Sequence, residues 1–348
     1  MFGKKSKSGD DSEKSDAISE KSSETKIQDD SERPAPKPVP QMDFDPEFSP
    51  TCIIDLKKVV HSIHESKGGE TPKKAKNLDV GSSPSQLLDA IVEEAHLLRQ
   101  SGAEPEMITP ILMSKLGYKP DTIFGKAAND ISILAGELAD QPTYHNPQHI
   151  TEVILAAFSL GLREHLPNER MAELIIASAA HDLGHTGGIN DHPYALETRS
   201  YEIGYPVMVK AGMTPEQIER IGQMILATDF MHGVPVVREN YTHLKEAGEP
   251  ADSEAMMLAA QCLILTEADI LFSCFSETYN ELLSDLLSVE WKKGRALSFD
   301  ERIGFLSSVQ FISDAATQLG LDERRIEIIE SLKKKSQEDT LPEEDAES

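Results

Sequence analysis

Apolar residues recur at helical spacing along most of the chain from residue 84 to residue 332. In SPSQLLDAIVEEAHLLRQSG they fall at Leu87, Leu88, Ile91, Ala95 and Leu98, one face of a helix that Gly102 closes. PEMITPILMSKLG and DTIFGKAANDISILAGELAD continue the pattern. NPQHITEVILAAFSLG places Pro147 in a first turn, where its missing N–H costs nothing. ERMAELIIASAAHD is apolar on nearly all faces, which predicts a central buried helix. TPEQIERIGQMILATD opens with Thr214, Pro215 and Gln217, a capping-box arrangement. DSEAMMLAAQCLILTEADILFSCF is long and apolar, and ETYNELLSDLLSVEWKKG and FDERIGFLSSVQFISDAATQLG are amphipathic. No stretch alternates with period two and no repeat appears, so the pattern predicts one compact all-α domain over 84–332.

The flanks read differently. Residues 1–80 form a tail and linker, with a Pro-rich stretch RPAPKPVP at 33–40 and few aliphatic residues before 50. Such a segment buries too little apolar surface to offset its ordering entropy, so disorder is expected there. TCIIDLKKVVHSIHES (51–66) is the exception, a short apolar stretch fit to dock or form a helix. A polar C-terminal tail is expected at 333–348.

Charge narrows the partners. The chain has 34 Lys+Arg against 60 Asp+Glu, a formal net charge of −26. A surface of that sign repels polyanions, so no nucleic-acid partner is expected. Three cysteines, Cys52, Cys262 and Cys274, form neither a CxxC pair nor an even set, which argues for a reducing compartment. The sequence turns polar at once after Met1, and no apolar run approaches the length of a membrane helix. The expectation is a cytoplasmic protein without a membrane span.

Polar residues inside apolar helices carry the chemical signal. His181-Asp182 directly follows LIIASAA, where an ionised carboxylate needs a cation or hydrogen bonds to offset its desolvation. Alone, an HD dipeptide reads better as a helix-end cap beside a satisfied histidine; HDLGHTGGIN adds His185 and a glycine-rich turn able to fold tightly around a site. YHNPQH sets His145 and His149 around a helix start. TEADIL puts Asp269 in the most apolar stretch of the chain, and ATD ends a buried helix at Asp229. Histidines with aspartates suit zinc, and carboxylates with water suit magnesium or manganese.

The order H…HD…D resembles that of the HD-domain metal-dependent phosphohydrolases. The finer spelling resembles the class I, eukaryotic-type 3′,5′-cyclic nucleotide phosphodiesterases. YHNPQHITEV is similar to their YHNxxHxxDV, HDLGHTGGIN to HDxxHxGxxN, ATDF to ATDM and TEADI to their ADL element, all in order over residues 144–271. The resemblance implies a multi-helix HD/phosphodiesterase-like domain that binds a small cyclic nucleotide. It implies that His149, His181, Asp182 and Asp269 hold a first divalent metal, usually zinc. Asp182 would bridge to a second, usually magnesium or else manganese. His145 would be the general acid, His185 and Asp229 would stand behind the ligands, and Asn190 would fix the loop. Glu202 is matched to a family glutamate across a shorter loop. Tyr144, Phe311 and Gln310 are the substrate-binding candidates.

The sequence departs from the family where His232 comes three rather than four residues after Asp229, where the HH pair that follows the loop glutamate is missing, and most of all in the base pocket. ADILFS lacks the family's Ser-Asn-Pro, and SVQFIS has Ser308 where the family's purine-reading Gln stands. Phe311 reads equally as the aromatic face for a base or as a core phenylalanine. Other readings stay open at this point: another HD phosphohydrolase, such as a nucleotidase or cyclic dinucleotide hydrolase, or a non-catalytic HD module. The missing GYP element weighs against a cyclic dinucleotide hydrolase, and the intact ligand set against a non-catalytic domain.

Overall fold

The computed structural model describes residues 83–138 and 143–340, together with Val60, His61, Ile63 and Glu65. The expected disorder of residues 1–80 lies, apart from those four, outside the described residues. Among the described residues there is no strand. From residue 83 onward the described residues form thirteen α-helices: α1 Pro84–Gln100, α2 Pro105–Lys115, α3 Ile123–Leu138, α4 Pro147–Arg163, α5 Asn168–Ala180, α6 Ala195–Ala211, α7 Pro215–Ala227, α8 Gly233–Glu246, α9 Glu254–Leu271, α10 Glu277–Glu290, α11 Phe299–Ser308, α12 Asp314–Leu319 and α13 Leu321–Thr340. The all-α reading is borne out. α13 runs eight residues past the expected end at 332.

Local chemistry sets several of these boundaries. The Thr214–Gln217 capping box forms as its spelling predicts, and Ser83–Gln86 and Ser298–Glu301 make two more. Asn146 caps α4 by accepting from the His149 N–H at 3.0 Å, with Pro147 in the first turn.

Three helices form the centre. α5 is buried from Arg170 to Ala180, and α9 is buried over most of its length. α4, α5 and α9 all pack against one another. Glu254–Cys274 is long and apolar enough to cross a membrane by length and composition, yet its most apolar 18 residues are 78% buried inside the molecule, as suits a core helix. Val60 and Ile63 join the same core.

Candidate metal centre

The central three helices each deliver part of one cluster. His149 comes from the first turn of α4, His181 and Asp182 from the end of α5, and Asp269 from the last turn of α9. His149 Nε2 lies 3.4 Å from Asp182 Oδ2 and 3.0 Å from Asp269 Oδ1. His181 Nε2 lies 3.2 Å and 3.6 Å from the same two oxygens. His149 Nε2, His181 Nε2 and Asp182 Oδ2 are buried without a hydrogen-bond partner. Orphaned polar atoms at such depth are rare and call for an explanation.

A divalent cation supplies one. Ligand bonds of 2.0–2.2 Å in a tetrahedron give edges of about 3.3–3.6 Å, close to the four distances above. His181 Nδ1 donates to the Ser178 carbonyl at 2.7 Å, which leaves the lone pair on Nε2, facing the cluster. The tightest set is His149, His181 and Asp182, whose ligand atoms lie within 4.8 Å of one another, and Asp269 joins through Oδ1. Electrostatics say the same. Burial pulls the His149 imidazole down, but the adjoining Asp182 and Asp269 carboxylates lift it to about 9. Burial also opposes His181, and Asp182 outweighs it and raises the ring well above its ordinary value. Burial pushes Asp182 up, yet the charge of His181 holds it well below the carboxylate range. Two anions thus demand positive charge between them, in the form of protons or a metal.

A second cluster adjoins the first. His145 Nδ1 donates to Glu290 Oε1 at 2.6 Å, and Glu290 Oε2 accepts from the backbone N–H of Tyr144 at 2.7 Å and of His145 at 3.1 Å. The His185 ring stacks on His145 with centroids 3.5 Å apart. Burial and the charge of His145 push His185 down to about 4, and its Nδ1 accepts from the Gly187 N–H. Gly187 has φ of +77°, and a Cβ there would sit 3.0 Å from Glu290 Cγ, so only glycine lets this loop close over the carboxylate. The Tyr144 ring lies 4.7 Å from His145 and 4.8 Å from His149.

Asp229 organises the surrounding loops. It accepts from the backbone N–H of Tyr194 at 2.8 Å and of Met231 and His232 at 2.9 Å, and from the Asn190 amide at 3.2 Å. Asn190 also donates to Glu197 at 2.9 Å and accepts from the Leu196 N–H at 2.8 Å.

Other expected positions differ. Glu202 is exposed on α6, whereas Glu197 is half-buried, pushed up by burial and by the charges of Asp229 and Asp182. Five helical residues turn the chain about 140°, so the two cannot share a face, and Glu197 is the one turned toward the site. Phe311 is in the core, 5% exposed, and Gln310 is exposed. A half-buried aromatic pair, Phe230 and Phe305, stacks with centroids 5.6 Å apart just beyond Asp229. Glu290 and Glu197 escaped the sequence reading. Glu197 left one signal, an acid in the first turn of the helix that follows the glycine-rich loop. Glu290 left none, because its partner is 145 residues away.

By sequence, no family model and no curated protein matches the chain. Solved structures do match its fold. LmjPDEB1 in complex with IBMX is 16% identical, with a TM-score of 0.53 over 79% of this chain and 96% of that one. The phosphodiesterase domain of Salpingoeca rosetta rhodopsin phosphodiesterase is 14% identical, with a TM-score of 0.53 over 84% of this chain and 97% of that one. The fold is that of phosphodiesterase catalytic domains. The resemblance read from the four motifs is borne out at this level.

Proposed function

We propose that the chain is a metal-dependent phosphodiesterase that hydrolyses a 3′,5′-cyclic nucleotide to the 5′-monophosphate. The observation that carries the reading is the convergence of His149, His181, Asp182 and Asp269, with orphaned atoms facing one another, beside the His145–Glu290 pair. The first four would hold a zinc-like ion, and Asp182 would share a second ion, magnesium or manganese, with water. Bound there, such ions supply Lewis acidity and a water deprotonated near neutral pH.

The chain's own residues do the rest. Glu290 fixes the His145 ring through Nδ1, which leaves Nε2 to protonate the departing O3′. His185, neutral at pH 7, stacks on that ring without adding a competing charge. Tyr144 packs against both histidines and shields them from solvent. The base is held by fewer polar groups than the phosphate: Ser308 replaces the family's Gln, and Phe272 stands where its Asn is expected. A site without such contacts discriminates poorly while its chemistry survives. The free thiols of Cys262 and Cys274 support a cytoplasmic location.

Turnover of cyclic AMP, cyclic GMP and cyclic dinucleotides, with and without chelator, tests the reading. Chelator-sensitive hydrolysis of the mononucleotides with weak selectivity is expected. Cleavage of cyclic dinucleotides alone would transfer the site to another HD-type phosphohydrolase.

A further inference from the structure

Away from the metal cluster, a cavity of about 490 Å³ opens between α7, α8 and α9. It shares no residue with either histidine cluster. Gly233 sets one end: a Cβ there would lie 2.5 Å from the Leu226 carbonyl oxygen, so α8 starts hard against the end of α7. Beyond that contact the walls are apolar, with Val237 from α8, Leu258 from α9 and Cys262 at 7% exposure. None of the thirteen lining residues is charged, in a chain whose net charge is −26. Only Tyr194, Gln223 and Asn240 offer side-chain hydrogen-bonding groups.

The volume falls within the range of about 300–1,000 Å³ usual for small-molecule sites, which are mostly apolar with a few placed polar groups. Uncharged walls favour an uncharged occupant, because a charge held against them would gain no ionic partner. Tyr194 ties the cavity to the metal cluster's surroundings. It has φ of +63°, a strained conformation for a residue with a side chain, and it begins α6 without a side-chain cap. Its N–H is held by Asp229, which also holds Asn190, and Asn190 holds Glu197.

We propose that this cavity is a second binding site, for a small, uncharged, largely apolar molecule with one hydrogen-bonding edge, and that its occupancy stiffens the Tyr194–Asp229 junction. A ligand that binds preferentially when the junction is closed lowers the population of states in which it is open.

The test uses the full chain and Nile red, a neutral apolar dye. Wild type is expected to bind it saturably, one per chain. Ala255→Trp, at the exposed rim, fills the cavity, and Asn240→Asp places a charge at its edge; both are expected to lose that saturable binding while keeping the wild-type far-ultraviolet circular dichroism and Tm. Exchange of the Tyr194 amide hydrogen should slow at dye saturation in wild type and stay unchanged in Ala255→Trp. Absence of saturable binding in wild type, or equal binding by all three proteins, would overturn the site. Unchanged Tyr194 exchange in dye-saturated wild type would overturn the link to Asp229. Neither readout involves turnover, so the outcome is separate from that of the phosphodiesterase reading.

Discussion

Asp182 adjoins both His149 and His181 and lies in the field of His145, so its loss should reach every part of the candidate site. Asp182→Ala is expected to lower bound metal and abolish turnover; metal analysis beside a rate measurement checks both. His145→Ala should separate the two properties: full metal content, with turnover lower by about 10²–10⁴-fold, the usual contribution of general acid catalysis. Glu290→Gln keeps an acceptor but removes the charge that orients the ring. It should cost about 10–100-fold in kcat, as losses of an orienting partner do, with metal content unchanged. Loss of metal in either variant would make the second cluster a ligand set instead. The four residues of the candidate metal site stood out in the sequence because polar residues interrupt apolar helical runs there. Glu290 and Glu197 were not, since each ends or begins an amphipathic helix where an acid is unremarkable, and only the packing shows what it faces.

At the scale of elements, α9 does two jobs from one turn. Asp269 faces the cluster, while Glu267, 1% exposed, accepts from the N–H of Ile312 at 2.6 Å and of Ser313 at 3.0 Å and from the Ser313 hydroxyl. Burial pushes this carboxyl up to about 7 even against those three donors. Glu267→Ala would leave buried donors unpaired, each costing about 1–3 kcal/mol. A lower Tm is therefore expected, and a much smaller drop in Glu267→Gln, whose amide oxygen still accepts. Equal losses in the two would mean that packing, not hydrogen bonding, is at stake. The same segment explains why Phe311 was ambiguous in the sequence. Its amphipathic surroundings fit either an exposed aromatic face or the core, and the strap's bonds to Glu267 and Asp322 set it inward. Phe311→Ala should accordingly cost about 3–5 kcal/mol of stability, the range for emptying an aromatic site in a core.

Over the whole molecule, most of the helical order was legible from periodicity, because most helices bury one face or all faces and seven of the thirteen start at a side-chain cap; α6, α8 and α13 were not singled out, and α11 and α12 read as one segment. The end of α13 was not legible either: its last turns, KKKSQEDT, are polar, yet the helix runs on through them to Thr340. The candidate site joins three helices that are far apart in sequence, so a bound cation cross-links the folded state and has no equivalent site in the unfolded one. At a cation concentration one hundred times Kd, the stabilisation is about 2.7 kcal/mol. Zinc should therefore raise Tm by several degrees in wild type and not in Asp269→Asn, as a thermal melt would show. The most direct measurement is a metal titration of turnover. Protein stripped by chelator is mixed with a 3′,5′-cyclic nucleotide, zinc and magnesium are added back, and 5′-monophosphate is measured for wild type and Asp182→Ala. Turnover that is absent from stripped wild type, returns with metal and never appears in Asp182→Ala is the expected result. Undiminished turnover in stripped wild type or in Asp182→Ala would contradict a metal-dependent phosphodiesterase built on these four ligands.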